Sequence, residues 1–292
     1  MKKLILGIAA MVMFSTANAQ QRTNQVFTQN PMPSNTGFYV SLQGGYNFAL
    51  GKQNVGFFGV DTWENGMVNY MSQTGTDSAE FIPVSLGKGG NVGVNLGYMV
   101  SENMGMELGF NYLLGSKYQT TQRNTSGTDI VNQTLYGNMF QLSPTAVFRT
   151  GSFHNIRHYA KVGLLVGLGS KVTYEENQVV NGDQYFAKQE LTGGVPLGLT
   201  GALGMEYAVN SRVSIFGEVK GNSLTYRPED GKYVTLTENG ADYSQYLTTS
   251  QKEIVFTDNI NTEDNANNPS QYPKISIPFS SIGLNVGMRF TF

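Results

Sequence analysis

The sequence predicts an all-β fold, a closed antiparallel up-and-down transmembrane β-barrel, with eight strands as the leading count. Three features predict it. Apolar residues recur at every second position in segment after segment. The connections between these segments alternate between short and long. The stripe opposite the apolar one is built from Gly, Ser, Asn and Thr with isolated charges. A period of two marks a strand with one apolar face. A soluble sandwich has no reason to gather its long loops at one end, whereas a membrane barrel has short periplasmic turns and long external loops.

Composition agrees. With 35 Gly, 33 Phe plus Tyr and 14% charged residues, the chain is neither disordered nor a helical bundle. The absence of cysteine excludes disulfides, thiolate metal sites and a cysteine nucleophile. The first residues, MKKLILGIAAMVMFSTANAQ, join a basic start (Lys2, Lys3), an apolar run from Leu4 to Phe14, and Ala17-Asn18-Ala19. That is the pattern of a secretory signal peptide, residues 1–19, cut after Ala19. The apolar run is too short to span a bilayer as a helix. Losing the leader removes two lysines and no acid, leaving 17 basic and 21 acidic residues. Such a chain has no electrostatic reason to bind nucleic acid.

Residues 20–36 read as a periplasmic N-terminal segment and 37–292 as the barrel. In FYVSLQGGYNF, Phe38, Val40, Leu42, Tyr46 and Phe48 oppose Tyr39, Ser41, Gln43, Gly45 and Asn47. In NVGVNLGYMV, Val92, Val94, Leu96 and Tyr98 point one way; in GMELGFNY, Met106, Leu108, Phe110 and Tyr112 do. YAKVGLLVGLG sets Ala160, Val162, Leu164, Val166 and Leu168 against Lys161 and its odd-numbered companions. Residues 135–149, 194–209 and 212–226 alternate less cleanly. In the last strand, Ile282, Leu284, Val286, Met288, Phe290 and Phe292 alternate with small or polar residues.

Short turns are expected near Ser101–Asn103, Gly151–His158 and Asn210–Arg212, and long polar loops over about 50–90, 116–134, 173–192 and 227–280. Pro144 lies inside the fourth strand and Pro196 near the start of the sixth, and proline removes a ladder donor, so a bulge is expected at Pro144. KYVTLTEN and KEIVFTD in the last loop read as a hairpin above the membrane. The rival reading makes them two further strands of a ten-stranded barrel.

The small, polar stripe is a poor solvent face and a good filling for a narrow bore, so the large apolar residues are expected to meet acyl chains. Phe38, Tyr98, Phe148, Tyr159, Tyr207, Phe290 and Phe292 fall near the short-turn ends of their strands. Tyr46, Phe48 and Tyr112 fall toward the other, as interfacial girdles would. Parity turns Glu107, Glu206 and Glu218 inward together with Lys161, Lys220 and Arg289, a neutral set. Charges in a narrow lumen must be paired, which predicts a salt-bridge network that plugs the bore.

These features together resemble the small OmpA/OmpX-like outer-membrane β-barrel superfamily over essentially all of residues 37–292. The resemblance implies a bacterial outer-membrane location among lipid and lipopolysaccharide. It also implies that the terminal strand, Ile282 to Phe292, is the signal read by the barrel assembly machinery. In one respect the chain departs from OmpA itself: no peptidoglycan-binding domain follows the barrel, so that tether is expected to be missing.

Candidate chemistry is sparse. The two histidines, His154 and His158, have the spacing of two metal ligands on a helix but fall in an expected periplasmic turn without a HExxH glutamate. Barrel-borne lipid enzymes and omptin-like proteases resemble this architecture but use a histidine in the outer half, which neither residue reaches. In VDTWENGMVNYMSQ, Asp61 and Glu64 suggest a capping box, and Val60, Trp63, Met67, Tyr70 and Met71 are roughly helix-spaced. The choice is between a short helix over the mouth and a loop packed on itself. Residues 228–274 carry eight acids and three bases, and DNINTEDNANNP is rich in oxygen ligands. Calcium, or a divalent bridge to lipopolysaccharide, is one reading; no EF-hand order is present, so a solvated acidic loop is the expected one. Asn124-Thr125-Ser126 and Asn132-Gln133-Thr134 match a glycosylation sequon, a match frequent by chance.

The expected function is therefore a non-enzymatic barrel with a plugged lumen, no cofactor, and exposed loops that contact a surface partner, a neighbouring membrane protein or lipopolysaccharide, or that serve envelope integrity. A narrow channel or carrier for small hydrophobic molecules is the second reading, and a lipid-modifying enzyme the third. If the leader reading holds, mass spectrometry of the mature protein will find Gln20 at its N-terminus; a chain that keeps residues 1–19 overturns it.

Overall fold

The computed structural model describes residues 36–54, 68–73, 76–123, 129–152, 154–260 and 265–292. The residues read as a signal peptide and almost all of those read as a periplasmic segment lie outside these, as do Val60, Asp61, Trp63, Glu64, Met67 and the Asn124 sequon. Eight strands form a closed ring: β1 (Gly37–Ala49), β2 (Gly89–Met99), β3 (Met104–Gly115), β4 (Ile130–Arg149), β5 (Ile156–Val180), β6 (Leu197–Ala208), β7 (Val213–Tyr226) and β8 (Ser281–Thr291). Each pairs antiparallel with the next, and β8 returns to β1 with Phe290 opposite Val40. A sheet with no edge is what hydrocarbon demands, because an unpaired backbone group there costs several kcal/mol.

The alternation sorts as lipid and lumen require. Val286 is 69% exposed, whereas Arg289 on the same strand is fully buried at 0%. Leu42, Leu96, Phe110, Leu164, Leu199 and Leu284 are exposed on the outer surface; Ser41, Asn95, Asn111, Lys161, Thr200 and Asn285 are buried inside. Outward positions of the ring carry no charged side chain between the short turns and the start of the long connections.

Several expectations need correction. The segments read as polar loops are largely β-structure, because β4 and β5 continue past the ring. A strand of about 9–11 residues crosses a bilayer, and β5 has 25. The upper parts of β4 and β5 carry a wall of further strands. Tyr118–Arg123 pairs with β4, and Asp183–Thr192 with β5. Asp230–Glu238 pairs with 183–192 and with Glu253–Thr257, which Ser270–Pro273 joins in parallel. KYVTLTEN and KEIVFTD thus belong to this wall, outside the ring. On the other flank a hairpin, Val68–Gln73 with Thr76–Phe81, holds Tyr70 and Met71 in a strand, which removes them from any helix.

The bulge is not at Pro144. That residue stands opposite Leu108, and the ladder to β5 skips it but resumes in register, Leu142 with Val166 and Thr145 with Gly163. The register shifts higher up, where Asn138 faces Lys171 and Phe140 faces Leu168, so Gly169 and Ser170 together oppose Met139. Gly169 has φ +55°, a conformation that a side chain disfavours. Beyond this bulge the inward positions of β5 become even-numbered: Val172 and Tyr174 are buried. Pro196 lies just before β6, where its carbonyl accepts the Gly167 N–H at 2.9 Å.

The bore is not polar throughout. Its half nearer the long connections holds an apolar core of Leu113, Leu135, Met139, Leu165 and Leu224, capped by Val84, Leu86, Ile277 and Phe279 from two connections that dip into the mouth. These two segments are tied together: Leu86 N–H donates to Pro278 at 2.8 Å and Ser85 Oγ to Ser280 at 2.7 Å. Parity alone could not show the cap, because its side chains come from connections and not from strands of the ring. Phe279→Ala is expected to destabilise the barrel by about 3–5 kcal/mol, read as a lower urea midpoint in lipid vesicles. An unchanged midpoint would mean the mouth is not a packed core.

Candidate functional site: the charged lumen

Nearer the short turns, the interior is a linked chain of charges. Lys161 Nζ lies 2.8 Å from Glu107 Oε1 and 3.1 Å from Glu218 Oε2. Arg289 binds Glu206 directly and reaches within 3.9 Å of Glu107; Arg149 lies 4.0 Å from Glu206. The residues come from β3, β4, β5, β6, β7 and β8, and the small residues Ala202, opposite both Lys161 and Lys220, and Gly204, opposite Tyr159 and Glu218, leave them room to meet across the bore.

Each carboxylate has both oxygens engaged. Tyr39 donates to Glu107 Oε2 at 2.8 Å, Tyr159 to Glu218 Oε2 at 3.0 Å, Asn285 to Glu218 Oε1 at 3.2 Å, and Ser214 to Glu206 Oε1 at 2.5 Å. Buried ion pairs are tolerated only when the remaining lone pairs are met in this way. The Arg289 guanidinium lies over the Tyr39 ring at 4.5 Å and near Tyr159 and Phe216 at 5.4 and 5.6 Å. Gly97 and Gly204 make room for the two tyrosines: a Cβ at either would collide with the ring of Tyr39 or Tyr159.

Above the charges, amide pairs continue the filling. Gln43 donates to Asn111 at 2.6 Å, Asn91 to Asn47 at 3.0 Å, and Thr200 to Asn222 at 2.7 Å. A cavity of about 10 Å³, lined by Glu107, Lys161, Glu218, Lys220 and Thr200 among others, has room for about one water molecule.

The structure joins Glu107, Lys161, Glu206, Glu218 and Arg289 into one network. Lys220 only shares the cavity wall, and among the described residues it makes no ion pair. Sequence reasoning missed Arg149 and Arg157, both buried on the inner face. They make the interior set three acids and five bases, not the neutral set expected. Their parity with Lys161 and Val147 was the available signal, obscured because both lie beside a turn. Tyr159 follows the same parity and is buried, so it is no girdle residue. Phe38, Tyr98, Phe148 and Tyr207 are exposed at the short-turn end, Phe38 packing on Tyr98 at 4.7 Å, and Phe290 is half-buried there.

His154 sits in the turn with φ +49°, whereas His158 is not a turn residue: it lies in β5 and faces outward. Among the described residues no group of three acidic or histidine side chains is placed to hold a metal. Asp258 of the acidic stretch pairs with Lys274 at 2.5 Å. In the wall, burial and then Glu176 push the Tyr233 hydroxyl up to about 12, so it stays protonated near neutrality.

A closed ring, an apolar outer surface and an interior filled by ion pairs at one end and apolar side chains at the other define an integral β-barrel of the bacterial outer membrane, set among its lipid and lipopolysaccharide. The chain belongs to the outer membrane protein beta-barrel domain family, whose model matches residues 6–290. Among solved structures it is similar to neisserial surface protein A (NspA), at 11% identity over 89% of this chain and 98% of that one, with a TM-score of 0.37. It is also similar to the outer membrane protease OmpT from Escherichia coli, at 8% identity over 88% and 94% of the two chains, with a TM-score of 0.25. No curated protein matches the chain.

Removing Lys161 would leave two carboxylates buried without their shared cation. Lys161→Met is therefore expected to destabilise the barrel by about 3–5 kcal/mol, with Glu107→Gln and Glu218→Gln added to it recovering part of the loss. Urea unfolding in vesicles measures both. An additive triple variant would show that the three charges do not act together.

Proposed function

We propose that this protein is a non-enzymatic outer-membrane barrel that presents a rigid β-wall to the outside of the cell as a contact surface for another surface or membrane component. The carrying observation is the length of β5, whose residues beyond the bulge at Gly169 build the wall with 118–123, 183–192, 230–238 and 253–257. A barrel that served only as an anchor would need none of this. The long connections face outward and the short turns face the periplasm, as in barrels of this kind.

Two features support a role without transport or catalysis. The bore is filled by the charge network on one side and by Leu86, Phe279 and their neighbours on the other, so neither an ion nor a small hydrophobic molecule has a path through it. Both histidines lie at the short-turn end, far from the wall. During biogenesis the outward row Ile282, Leu284, Val286, Met288, Phe290 and Phe292 presents the pattern that the barrel assembly machinery reads.

Planar-bilayer recordings of the purified protein are expected to show no stable conductance steps, and protease treatment of intact cells is expected to cut within 227–280. Stable openings would overturn the plugged bore. Cuts confined to spheroplasts would overturn the orientation, and an altered lipid A mass on expression would replace the reading with an enzyme. Phe292→Ala is expected to lower the assembled fraction several-fold, measured by heat-modifiable gel mobility.

A further inference from the structure

The outer surface changes character abruptly where the wall leaves the apolar band. Leu114, Phe140 and Leu168, on β3, β4 and β5, are outward and 51%, 60% and 45% exposed. The next outward side chains upward are Asn138 on β4 and Lys171 on β5, which stand opposite each other, with Lys117 following the end of β3. On these three neighbouring lines of chain, the first charge above the acyl band is in each case a lysine or absent.

The two lysines flank β4. Lys171 Nζ is 2.7 Å from Glu190 with its side chain 46% exposed, and Lys117 Nζ is 3.9 Å from Glu175 with its side chain 55% exposed. Lys117 also lies over the Tyr136 ring at 5.0 Å. Glu175 is shared, since it accepts from Tyr136 at 3.2 Å and pairs with Lys188 at 3.5 Å, which leaves Lys117 loosely held. With β4 between them, the two lines of chain are roughly 10 Å apart. Amphipathic side chains whose stems lie on apolar surface and whose heads reach upward suit the level of lipid headgroups.

We infer that Lys117 and Lys171 form a clamp for the phosphorylated headgroup of an outer-leaflet glycolipid, whose acyl chains lie against Leu114, Phe140 and Leu168. Continuity with the lipid-facing band selects a lipid over a soluble partner, and two cations nearest that band select an anionic headgroup. Tyr136 and Asn138 fill the floor between them; Asn138 is fixed by the Gly115 N–H, which donates to its Oδ1 at 3.0 Å. Glu190 competes with the phosphate for Lys171. The inference rests on the long connections facing outward.

The test uses the full mature protein in phosphatidylcholine nanodiscs, with diphosphorylated lipid A as the probe and native mass spectrometry as the readout. Each lysine removed is expected to weaken retention about fivefold, so Lys117→Ala with Lys171→Ala should lose about 25-fold, while Lys252→Ala with Lys274→Ala changes nothing. Glu190→Gln should tighten binding several-fold, a gain that damage to the fold would not produce. Equal retention of dephosphorylated lipid A, double-variant retention within twofold of the parent, or preference for an acidic peptide over lipid A would each overturn the clamp. Binding in nanodiscs is indifferent to which way the barrel faces in a cell, so the clamp and the orientation fail separately.

Discussion

Everything in this molecule follows from the rule that a backbone inside hydrocarbon must satisfy its own hydrogen bonds. A sheet can obey it only by closing, and eight strands close on a bore too narrow to hold bulk water. Closure therefore creates a second problem, an interior that must be filled by side chains that suit one another. The chain solves it differently at the two ends. Toward the short turns it uses charges whose every carboxylate oxygen is met; toward the long connections it uses Leu113, Leu135, Met139 and Leu165 with Leu86 and Phe279 folded in on top.

The polar end shows why a buried charge network can be stable in so dry a place. Lys161 alone bridges Glu107 and Glu218, and Arg289 joins Glu107 to Glu206, so no pair stands by itself. The aromatic rings of Tyr39, Tyr159 and Phe216 cover the Arg289 guanidinium where no further acceptor is at hand. Glycines on the neighbouring strands give these rings their space. Filling and electrostatics are thus one arrangement, and a change to either is felt by both.

The wall depends on a single local device. At Gly169 and Ser170 the two strands β4 and β5 lose register by one residue, and β5 changes which of its residues face inward. Beneath that point the outside is lipid; above it the outer face carries Lys171, Glu175 and Tyr136, cross-linked by ion pairs and hydrogen bonds. The same strands therefore serve as membrane anchor and as exposed surface, with no flexible linker between the two roles.

The period-two pattern by itself determined the ring, the lipid-facing side and the inward direction of Glu107, Lys161, Glu206, Glu218 and Arg289, because alternation is a local property of extended backbone and closure follows from the solvent. It missed Arg149 and Arg157 and set Tyr159 in the girdle, since turns blur parity at strand ends. Only the tertiary structure decided that the loops continue as a sheet, that the register slips at Gly169 and not at Pro144, and that half the bore is apolar. Each of these depends on contacts between residues far apart in the chain, such as Leu86 with Phe279 or Gln189 with Tyr233, and no local pattern encodes which distant partner a segment will meet.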